Sequence, residues 1–422
     1  MKITPAKIIA VVLLSSIIMG SFVIFNSEDS MNTAMQLYSS NTTDTSSRTK
    51  METVVTMVDK TKLSNLSGAP GDTSNIPGVA DEDDEYDYNN SLIKDYDDTS
   101  LSQGPMESAP DNDWHVTFSG RWFAMNFNGK NVMATVNDGA MFYFNTKGSS
   151  SVRVCFEPVH GLEEPYYVYY VDGANPQRKH ISDGNIQLPD SGEHTIQVVV
   201  DGMTERESKW PEGKGVAFEK VEGNGATITP AKMDRKIVMF IGDSITEGIA
   251  VLSRDYDANG NSATHSYTWY TAQNLGVEPY FVGFGATGVT EQGSFNTPQV
   301  AMNYFYDGRP ISNAEQPDCS LVVINIGTND SEFNPVADNY NVLLGQLHQR
   351  YPNIPILCMV PFNQGHRDLI RSLASRYSWC YVVETEGWNI SDNGDGVHPN
   401  VEGSKVAGTN LANFIRDNKF LE

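Results

Sequence analysis

Ser244 lies where a strand-like stretch breaks into residues that favour a turn and a helix. The apolar run 236–241 is followed abruptly by Gly, Asp, Ser and Thr. Gly242 permits a tight turn that a side chain would obstruct, and the polar residues after it commonly start helices. A strand that turns sharply into a helix leaves the turn at the carboxyl end of a sheet, where open α/β sheets bind ligands. A serine there can attack a carbonyl, and the free N–H groups at a helix start can stabilise the oxyanion.

Two later stretches supply candidate donors to that oxyanion. The apolar run 281–284 leads into a glycine-rich turn that contains Gly288, and the run 321–326 leads into a turn that contains Asn329. Glycine allows a close backbone approach, and a neutral amide stabilises developing charge without taking part in proton transfer. The Gly-x-Gly-x-x-Gly match from Gly283 fits a dinucleotide site poorly, because it follows the second strand of the domain and lacks an acidic residue at the ribose spacing.

A base for the serine is predicted near the C-terminus. Asp395 precedes His398 by three residues, in a loop just before the last predicted helix. The carboxylate can orient the imidazole and stabilise the imidazolium, while the other ring nitrogen takes the serine proton. His366 is the alternative base. The set Ser244, Gly288, Asn329, Asp395 and His398 therefore predicts a serine hydrolase.

Composition restricts the other possibilities. The formal net charge is -24 at pH 7, which argues against nucleic-acid binding because polyphosphate would be repelled. The four cysteines, Cys155, Cys319, Cys358 and Cys380, are too few and too scattered for a disulfide framework or a zinc site. A bridge between two of the last three and unpaired buried thiols both remain open.

The N-terminal quarter contains targeting and linker signals. Residues 1–25 combine two early lysines with an apolar run of about 18 residues, which predicts a cleaved secretory signal or a membrane signal-anchor. Residues 26–110 are rich in Ser, Thr, Asp and Asn and are predicted to be a disordered acidic stem. N-glycosylation acceptors occur at Asn41, Asn65 and Asn89. The catalytic part is therefore expected in the secretory pathway, lumenal or extracellular, with membrane contact only through an uncleaved first segment.

Residues 111–232 are predicted to form a β-sandwich without helices, because short alternating runs are separated by turn residues. The expected strands are 132–136, 140–144, 152–156, 166–171 and 194–200. This domain either binds carbohydrate or supports the next domain. Exposed aromatic side chains, such as Trp122 or Trp210, would favour carbohydrate binding.

Residues 233–422 are predicted to form an α/β domain with a parallel sheet, because strand-like and helical stretches alternate. The expected strands are 237–241, 279–284, 321–326, 356–360 and 381–383, and the expected helices are 266–275, 337–350, 366–376 and 401–415. Asn400 is the expected N-cap of the last helix.

The order of these four blocks resembles the SGNH (GDSL-type) hydrolases. Ser244, Gly288, Asn329 and His398 match the family's signature residues, and Asp395 matches its orienting acid. The resemblance covers residues 235–422. The preceding sandwich is similar to the arrangement of carbohydrate esterase family 2, acetyl esterases that act on polysaccharides. The residues that carry this second likeness are 127–130, 171–173 and 192–194, with Gly-Asp-Ser-Ile-Thr at the nucleophile.

The resemblance implies a flavodoxin-like three-layer α/β/α SGNH hydrolase domain preceded by a jelly-roll-like β-sandwich domain. It implies hydrolysis of acetyl esters on carbohydrate without a cofactor or metal. The oxyanion would be held by the N–H groups of Ser244 and Gly288 and by the side chain of Asn329. Three alternatives remain: a lipid or thioester esterase, a carbohydrate O-acetyltransferase, and a binding module with a dead site. The insertion 251–264 is polar and unlike an apolar lid.

Overall fold

The computed structural model describes residues 114–232, 234–300, 316–331 and 335–422, together with three short strands nearer the N-terminus. The chain divides into two compact units, Met1–Tyr88 and Asn89–Glu422.

The first unit contains a small antiparallel sheet of β1 (Ile9–Leu14), β2 (Ser21–Phe25) and β3 (Thr56–Val58), in the order β2-β1-β3. The rest of residues 1–113, including the three predicted glycosylation sites, lies outside the described residues. Among the helices that the structure describes, none is both long and apolar enough to cross a membrane.

The second unit begins with two antiparallel sheets. One has the order β10-β9-β12-β7-β14, with β4 also paired to β7, and the other has the order β11-β8-β13-β6-β5. The strands are β4 (Thr117–Ser119), β5 (Phe123–Phe127), β6 (Lys130–Thr135), β7 (Met141–Lys147), β8 (Ser151–Glu157), β9 (Tyr166–Val171), β10 (Ala174–His180), β11 (Asn185–Gln187), β12 (Glu193–Gly202), β13 (Val216–Glu222) and β14 (Thr227–Pro230).

Alternation along the strands explains why these two sheets pack together. In β8, for example, Val152 and Val154 are buried while Arg153 between them is exposed. The buried side chains form a core rich in aromatic rings, in which Phe142 and Phe218 lie 4.5 Å apart between ring centroids. Burial of such rings is a large part of what stabilises a sandwich of this size. The predicted β-sandwich is confirmed.

One expectation for this part is wrong. A short helix, α1 (Lys209–Glu212), follows β12 where no helix was expected. Trp122 and Trp210 are buried, at 5% and 1% exposure, so neither forms an exposed platform for a sugar. Trp122 instead donates its indole N–H to the backbone carbonyls of Ser119 and Met141.

A parallel sheet and its helices follow. The strands are β15 (Ile237–Gly242), β16 (Glu278–Gly283), β17 (Leu321–Asn325), β18 (Ile356–Met359) and β19 (Cys380–Val383). The helices are α2 (Ser244–Glu247), α3 (Tyr267–Leu275), α4 (Val336–Arg350), α5 (Arg367–Ala374) and α6 (Val401–Asp417). The strand order β16-β15-β17-β18-β19 is that of flavodoxin-like sheets. Every strand and helix predicted for this region is confirmed to within two residues, and Asn400 caps α6 as expected.

Helices cover both faces of this sheet, which explains its nearly uniform apolar strands. Met239 and Ile241 of β15 point to one face and pack with α4 residues such as Leu343. Val238 and Phe240 point to the other face and pack with α3 and α6. The predicted three-layer α/β/α arrangement is confirmed.

The sandwich and the α/β part share two hydrophobic clusters, one of which includes Trp210 and Phe284. Met141, Tyr143 and Val199 of the sandwich pack with Trp269 and Phe281 of the α/β part. In addition, the buried Tyr143 hydroxyl donates to the Glu278 carboxylate at 2.7 Å. The two parts are therefore held together by burial and not only by the chain that connects them.

All four cysteines are free thiols. Cys319, Cys358 and Cys380 are buried in or beside the parallel sheet, and Cys155 is partly buried in the sandwich.

Candidate active site

The turn that carries the candidate nucleophile, Ser244, connects β15 to α2, and we call it the nucleophile turn. Asp243 is the N-cap of α2, and its carboxylate accepts the Ile245 N–H at 2.9 Å. Gly248 ends the helix with a φ of 100°, a conformation that suits glycine. At Gly242 a Cβ would lie 2.5 Å from the carbonyl oxygen of Asn325, so only glycine fits between the strands. This places Ser244 at the carboxyl end of β15, where the strand order reverses and ligands bind in such sheets.

The loop before α6 brings His398 and Asp395 to this serine. His398 Nε2 lies 2.9 Å from Ser244 Oγ, and His398 Nδ1 lies 2.8 Å from Asp395 Oδ2. An ionised carboxylate can only accept, so Nδ1 carries the proton and Nε2 accepts the serine hydroxyl. The competing histidine, His366, places its Nε2 3.1 Å from the Asp330 carbonyl oxygen. Three predicted catalytic residues therefore form one hydrogen-bonded chain.

Asp395 is held in its ionised form. Burial tends to raise the pKa of Asp395, but hydrogen bonds from the N–H groups of Val397 and His398, from the His398 ring and from the Tyr256 hydroxyl outweigh it. The pKa therefore lies below its usual range, and the carboxylate is available to the imidazole at all ordinary pH values.

The pKa of Asp243, directly before Ser244, is shifted in the opposite direction. It is fully buried, and one of its carboxylate oxygens has no hydrogen-bond partner among the described residues. Burial raises the pKa of Asp243 to about 7, against the opposing effect of the Ile245 N–H. A change of charge beside Ser244 is therefore expected near neutral pH.

Two of the three predicted oxyanion residues, Gly288 and Asn329, lie in the loops after β16 and β17, but their N–H groups have local partners. The Gly288 N–H donates to the Glu291 carbonyl at 3.0 Å, and the Asn329 side-chain amide donates to the Thr287 carbonyl at 2.9 Å. An amide has two hydrogens, so Asn329 keeps one for another acceptor, whereas Gly288 has only one. A role for Gly288 requires release of the bond to Glu291 when substrate enters.

Asp330 organises the loop that follows β16, residues 284–293, which we call the glycine-rich loop. Its carboxylate accepts from the N–H groups of Val289 and Thr290, at 3.0 and 2.8 Å, and from the Thr290 hydroxyl at 2.7 Å. A Cβ at Gly288 would lie within 2.6 Å of this carboxylate. Sequence reasoning assigned Asp330 no role, although its place one residue after Asn329 was a usable signal.

Tyr256 is the second residue that sequence reasoning missed. It lies in the insertion 251–264, donates its hydroxyl to Asp395 at 3.0 Å, and packs the edge of its ring on His398 at 5.4 Å between centroids. Its side chain stays partly open to solvent, at 38% exposure. The insertion therefore adds a side chain to the site, as a polar wall and not as an apolar lid.

The sandwich holds this insertion in place. Arg178 of β10 pairs with Asp201 and donates to the carbonyls of Ala258 and Asn261 at 2.8 Å. Asp201 also accepts from the N–H and the hydroxyl of Thr264. These bonds to buried charged groups are stronger than ordinary surface contacts.

A cavity of about 250 Å³ opens beside the nucleophile turn. Three of its lining residues, Ile245, Thr328 and Val397, are the chain neighbours of Ser244, Asn329 and His398. Its outer wall includes Gln364, Trp388, Glu386 and Asp392. The side-chain oxygen of Gln364 is buried and has no hydrogen-bond partner among the described residues.

Comparisons with known proteins identify the family of one segment and the fold of the chain. Residues 240–406 match the model of the GDSL-like Lipase/Acylhydrolase family. No curated protein matches the sequence. The resemblance to GDSL-type hydrolases is confirmed for this segment.

The solved structures that share this fold include the following three. A family two carbohydrate esterase from Clostridium thermocellum, in complex with cellohexaose, aligns with a TM-score of 0.57 and 19% identity, covering 72% of this chain and 99% of that chain. An acetyl xylan esterase from Butyrivibrio proteoclasticus aligns with a TM-score of 0.54 and 15% identity, covering 74% and 97%. A salicylyl-acyltransferase from a tetracycline biosynthetic pathway aligns with a TM-score of 0.51 and 14% identity, covering 74% and 97%. The likeness confirms the combination of sandwich and α/β domain, and together with the family model it supports a carboxylic ester hydrolase.

Proposed function

We propose that this protein is a serine esterase that removes acetyl groups from carbohydrate. The observation that carries the proposal is the hydrogen-bonded chain from Ser244 through His398 to Asp395 at the carboxyl end of β15. It lies within the segment that matches the GDSL-like family.

The mechanism follows from the direction of these hydrogen bonds. Ser244 Oγ attacks the ester carbon while His398 Nε2 takes its proton, and Asp395 stabilises the imidazolium. The tetrahedral oxyanion is stabilised by the N–H of Ser244, which as the first helical residue has no intrahelical acceptor, and by Asn329. Gly288 contributes when its bond to Glu291 is released.

The intermediate then collapses with loss of the alcohol, which receives the proton from His398. Water adds to the acyl-enzyme as His398 removes its proton, and acetate leaves as Ser244 regains its own. Each proton taken by His398 is returned within the same half-reaction.

The cavity beside the site supports a sugar as the alcohol. Its wall combines an indole ring, Trp388, with amide and carboxylate groups at Gln364, Glu386 and Asp392. Carboxylates repel an anionic ligand and accept hydrogen bonds from hydroxyl groups, and aromatic faces pack against sugar rings. A neutral polyol suits such a wall better than a fatty acyl chain, which needs an apolar one.

A second candidate is an O-acyltransferase with the same residues. The observation in its favour is the fold shared with the salicylyl-acyltransferase. In that case a sugar hydroxyl replaces water in the second half-reaction, and an acyl donor must supply the first.

Acetate release tests the proposal. The protein and its Ser244→Ala variant are incubated with acetylated xylan, acetylated glucomannan and a short-chain aryl ester. Release from a polysaccharide that is lost in the variant is the expected result. Cleavage of the aryl ester alone would retain the serine mechanism and reject the polysaccharide, and acetylated product formed from a donor would establish the transferase.

A secretory-pathway location stays part of the proposal. It rests on the charged and apolar residues of the first 25 positions and on the acidic stem that follows. Microscopy of the full chain with a C-terminal tag, together with protease protection, tests it.

A further inference from the structure

One stretch of the sandwich, residues 204–210, lies against three separate parts of the candidate active site. We call it the bridging segment. It follows β12 and runs into α1. Apart from Trp210, which was considered as a sugar-binding aromatic, none of its residues was assigned a role from the sequence. None belongs to the hydrogen-bonded chain of Ser244, His398 and Asp395.

The first contact is with α2, the helix that begins at Ser244, which we call the nucleophile helix. Lys209 Nζ lies 2.6 Å from Glu247 Oε1, and Glu247 is the last residue of α2, three residues after Ser244. The side chains are 7% and 0% exposed. A buried carboxylate and a buried ammonium stabilise the fold only when they remain paired, because either one alone carries a large desolvation cost. The pair therefore ties α2 to the sandwich.

The second contact is with the glycine-rich loop. Glu205 pairs with the same Lys209, and its carboxylate occupies the space that a Cβ at Gly285 would need. Trp210 packs edge-on against Phe284, with 5.2 Å between ring centroids. Gly285 precedes Gly288 by three residues. The loop that carries a predicted oxyanion donor therefore rests on the bridging segment.

The third contact is with the insertion. Arg206 donates to the carbonyl of Asp255 at 2.7 Å, and the Glu205 N–H donates to the carbonyl of Tyr256 at 3.3 Å. The side chain of Tyr256 in turn contacts Asp395 and His398. The bridging segment thus supports the residue that flanks the general base.

Lys209 remains charged in this setting. Burial alone would lower its pKa, but the carboxylates of Glu205, Glu247 and Asp138 raise it well above the usual value. The Lys209 ammonium is therefore shared between Glu247 of the nucleophile helix and Glu205, which packs against the glycine-rich loop. The position of this ammonium therefore affects the distance between the helix and the loop.

We propose, on the basis of the serine-esterase function proposed above, that the bridging segment is a positioning element for the reaction. Lys209 is the positioning residue that sets the nucleophile helix against the glycine-rich loop. The sandwich then affects the rate of the chemical step, and not only stability or carbohydrate binding. Lys209 contacts no reacting atom. Because a displacement of about 1 Å at a reacting group costs about 100-fold in rate, a loss of this link lowers kcat.

The test compares Lys209→Met with a matched control, Lys130→Met. Lys130 also pairs with two sandwich carboxylates, Glu157 and Glu219, but is half exposed. For an aryl acetate, we expect Lys209→Met to lower kcat per folded enzyme by about 10- to 100-fold with KM within about twofold. Lys130→Met should leave both constants unchanged, and Lys209→Arg should restore part of kcat because it keeps the charge and the donors.

A second readout is independent of the ester. The rate at which a fluorophosphonate labels Ser244 should fall in Lys209→Met and recover in Lys209→Arg. Should Lys209→Met fail to fold, the quadruple variant Lys209→Met, Asp138→Asn, Glu205→Gln, Glu247→Gln removes the ammonium together with its three carboxylate partners and leaves no unpaired charge among them. Wild-type kcat and labelling in a folded single or quadruple variant would overturn the proposal, as would a change confined to KM.

Discussion

The hydroxyl of Tyr256 and the imidazole of His398 share one acceptor, Asp395 Oδ2, at 3.0 and 2.8 Å. Two donors on one oxygen hold the carboxylate in a single orientation, and the other oxygen is held by the N–H groups of Val397 and His398. Asp395 therefore has little freedom to turn away from the imidazole. The insertion contributes to the geometry of the site through this one hydroxyl.

Replacement of Tyr256 by Phe removes that hydroxyl and keeps the ring against His398. We expect kcat for an aryl acetate to fall by about three- to tenfold, since hydrogen bonds to charged groups contribute about 1.5–3 kcal/mol and other donors still hold Asp395. Tyr256→Ala should lose more, because it also removes the ring. Steady-state kinetics of the two variants side by side check this, and an equal loss in both would assign the whole effect to the hydroxyl.

Ser244→Ala should lower kcat by about 10⁴-fold or more, because it removes the atom that forms the acyl bond. His398→Ala is expected to be similar. Asp395→Asn should cost less, about 10²–10⁴-fold, because Asp395 acts only through the imidazole. Single-turnover acetate release measures all three, with intact folding verified by circular dichroism. Equal losses at Ser244 and Asp395 would contradict this order.

Asn329→Ala should lower kcat by about 10²–10³-fold with little change in KM, because an oxyanion donor acts on charge that develops in the transition state. Asn339→Ala is the matched control. Both amides donate to a carbonyl of the glycine-rich loop, Asn329 to Thr287 and Asn339 to Val289, but only Asn329 is a predicted oxyanion donor. A similar loss of kcat in both variants would show that Asn329 only holds the loop in place and does not donate to the oxyanion.

Asp243→Asn should make the protein more stable at alkaline pH. The folded-state pKa of about 7 is above the ordinary value for an aspartate. A group with a raised folded pKa contributes stability at low pH that is lost as the pH rises through the folded pKa. Asparagine caps a helix as well as aspartate and does not titrate. Urea unfolding between pH 4 and pH 9 measures the free energy of unfolding of Asp243→Asn and of the wild-type protein. The advantage of the variant should grow up to about pH 7 and then stay constant, and an advantage that does not depend on pH would refute the raised pKa of Asp243.

Prediction from the sequence succeeded where a local pattern was enough. The strand of 321–326 and the helix of 337–350 follow from apolar runs and from helical periodicity, which neighbouring residues encode without reference to the rest of the fold. The strands β4, β5, β10, β11, β13 and β14 were missed because they are short, or polar along much of their length, and owe their state to pairing with neighbours. The helix α1 was missed because it has only four residues.

The types of the candidate site residues were also predictable. A serine after Gly-Asp, an amide after a strand, and Asp-x-x-His before a helix are arrangements with a known chemical use. Whether those groups meet was not predictable from spacing, since Ser244 and His398 are 154 positions apart. Their hydrogen bond depends on the order of the strands in the sheet. The sequence likewise left His366 open as a base, and its contact with Asp330 is a result of packing.

Local sequence patterns thus predict the strands and helices of the α/β domain and the chemical groups that follow its strands. Tertiary structure alone decided that Tyr256 joins Asp395, that Lys209 joins Glu247, and that Trp210 is buried against Phe284. The first contact joins two loops of the α/β domain, and the other two join the sandwich to that domain. Residues on separate elements carry no mutual periodicity that a sequence pattern could report. They form because burial brings the two parts together, and each buried polar group must then find a partner.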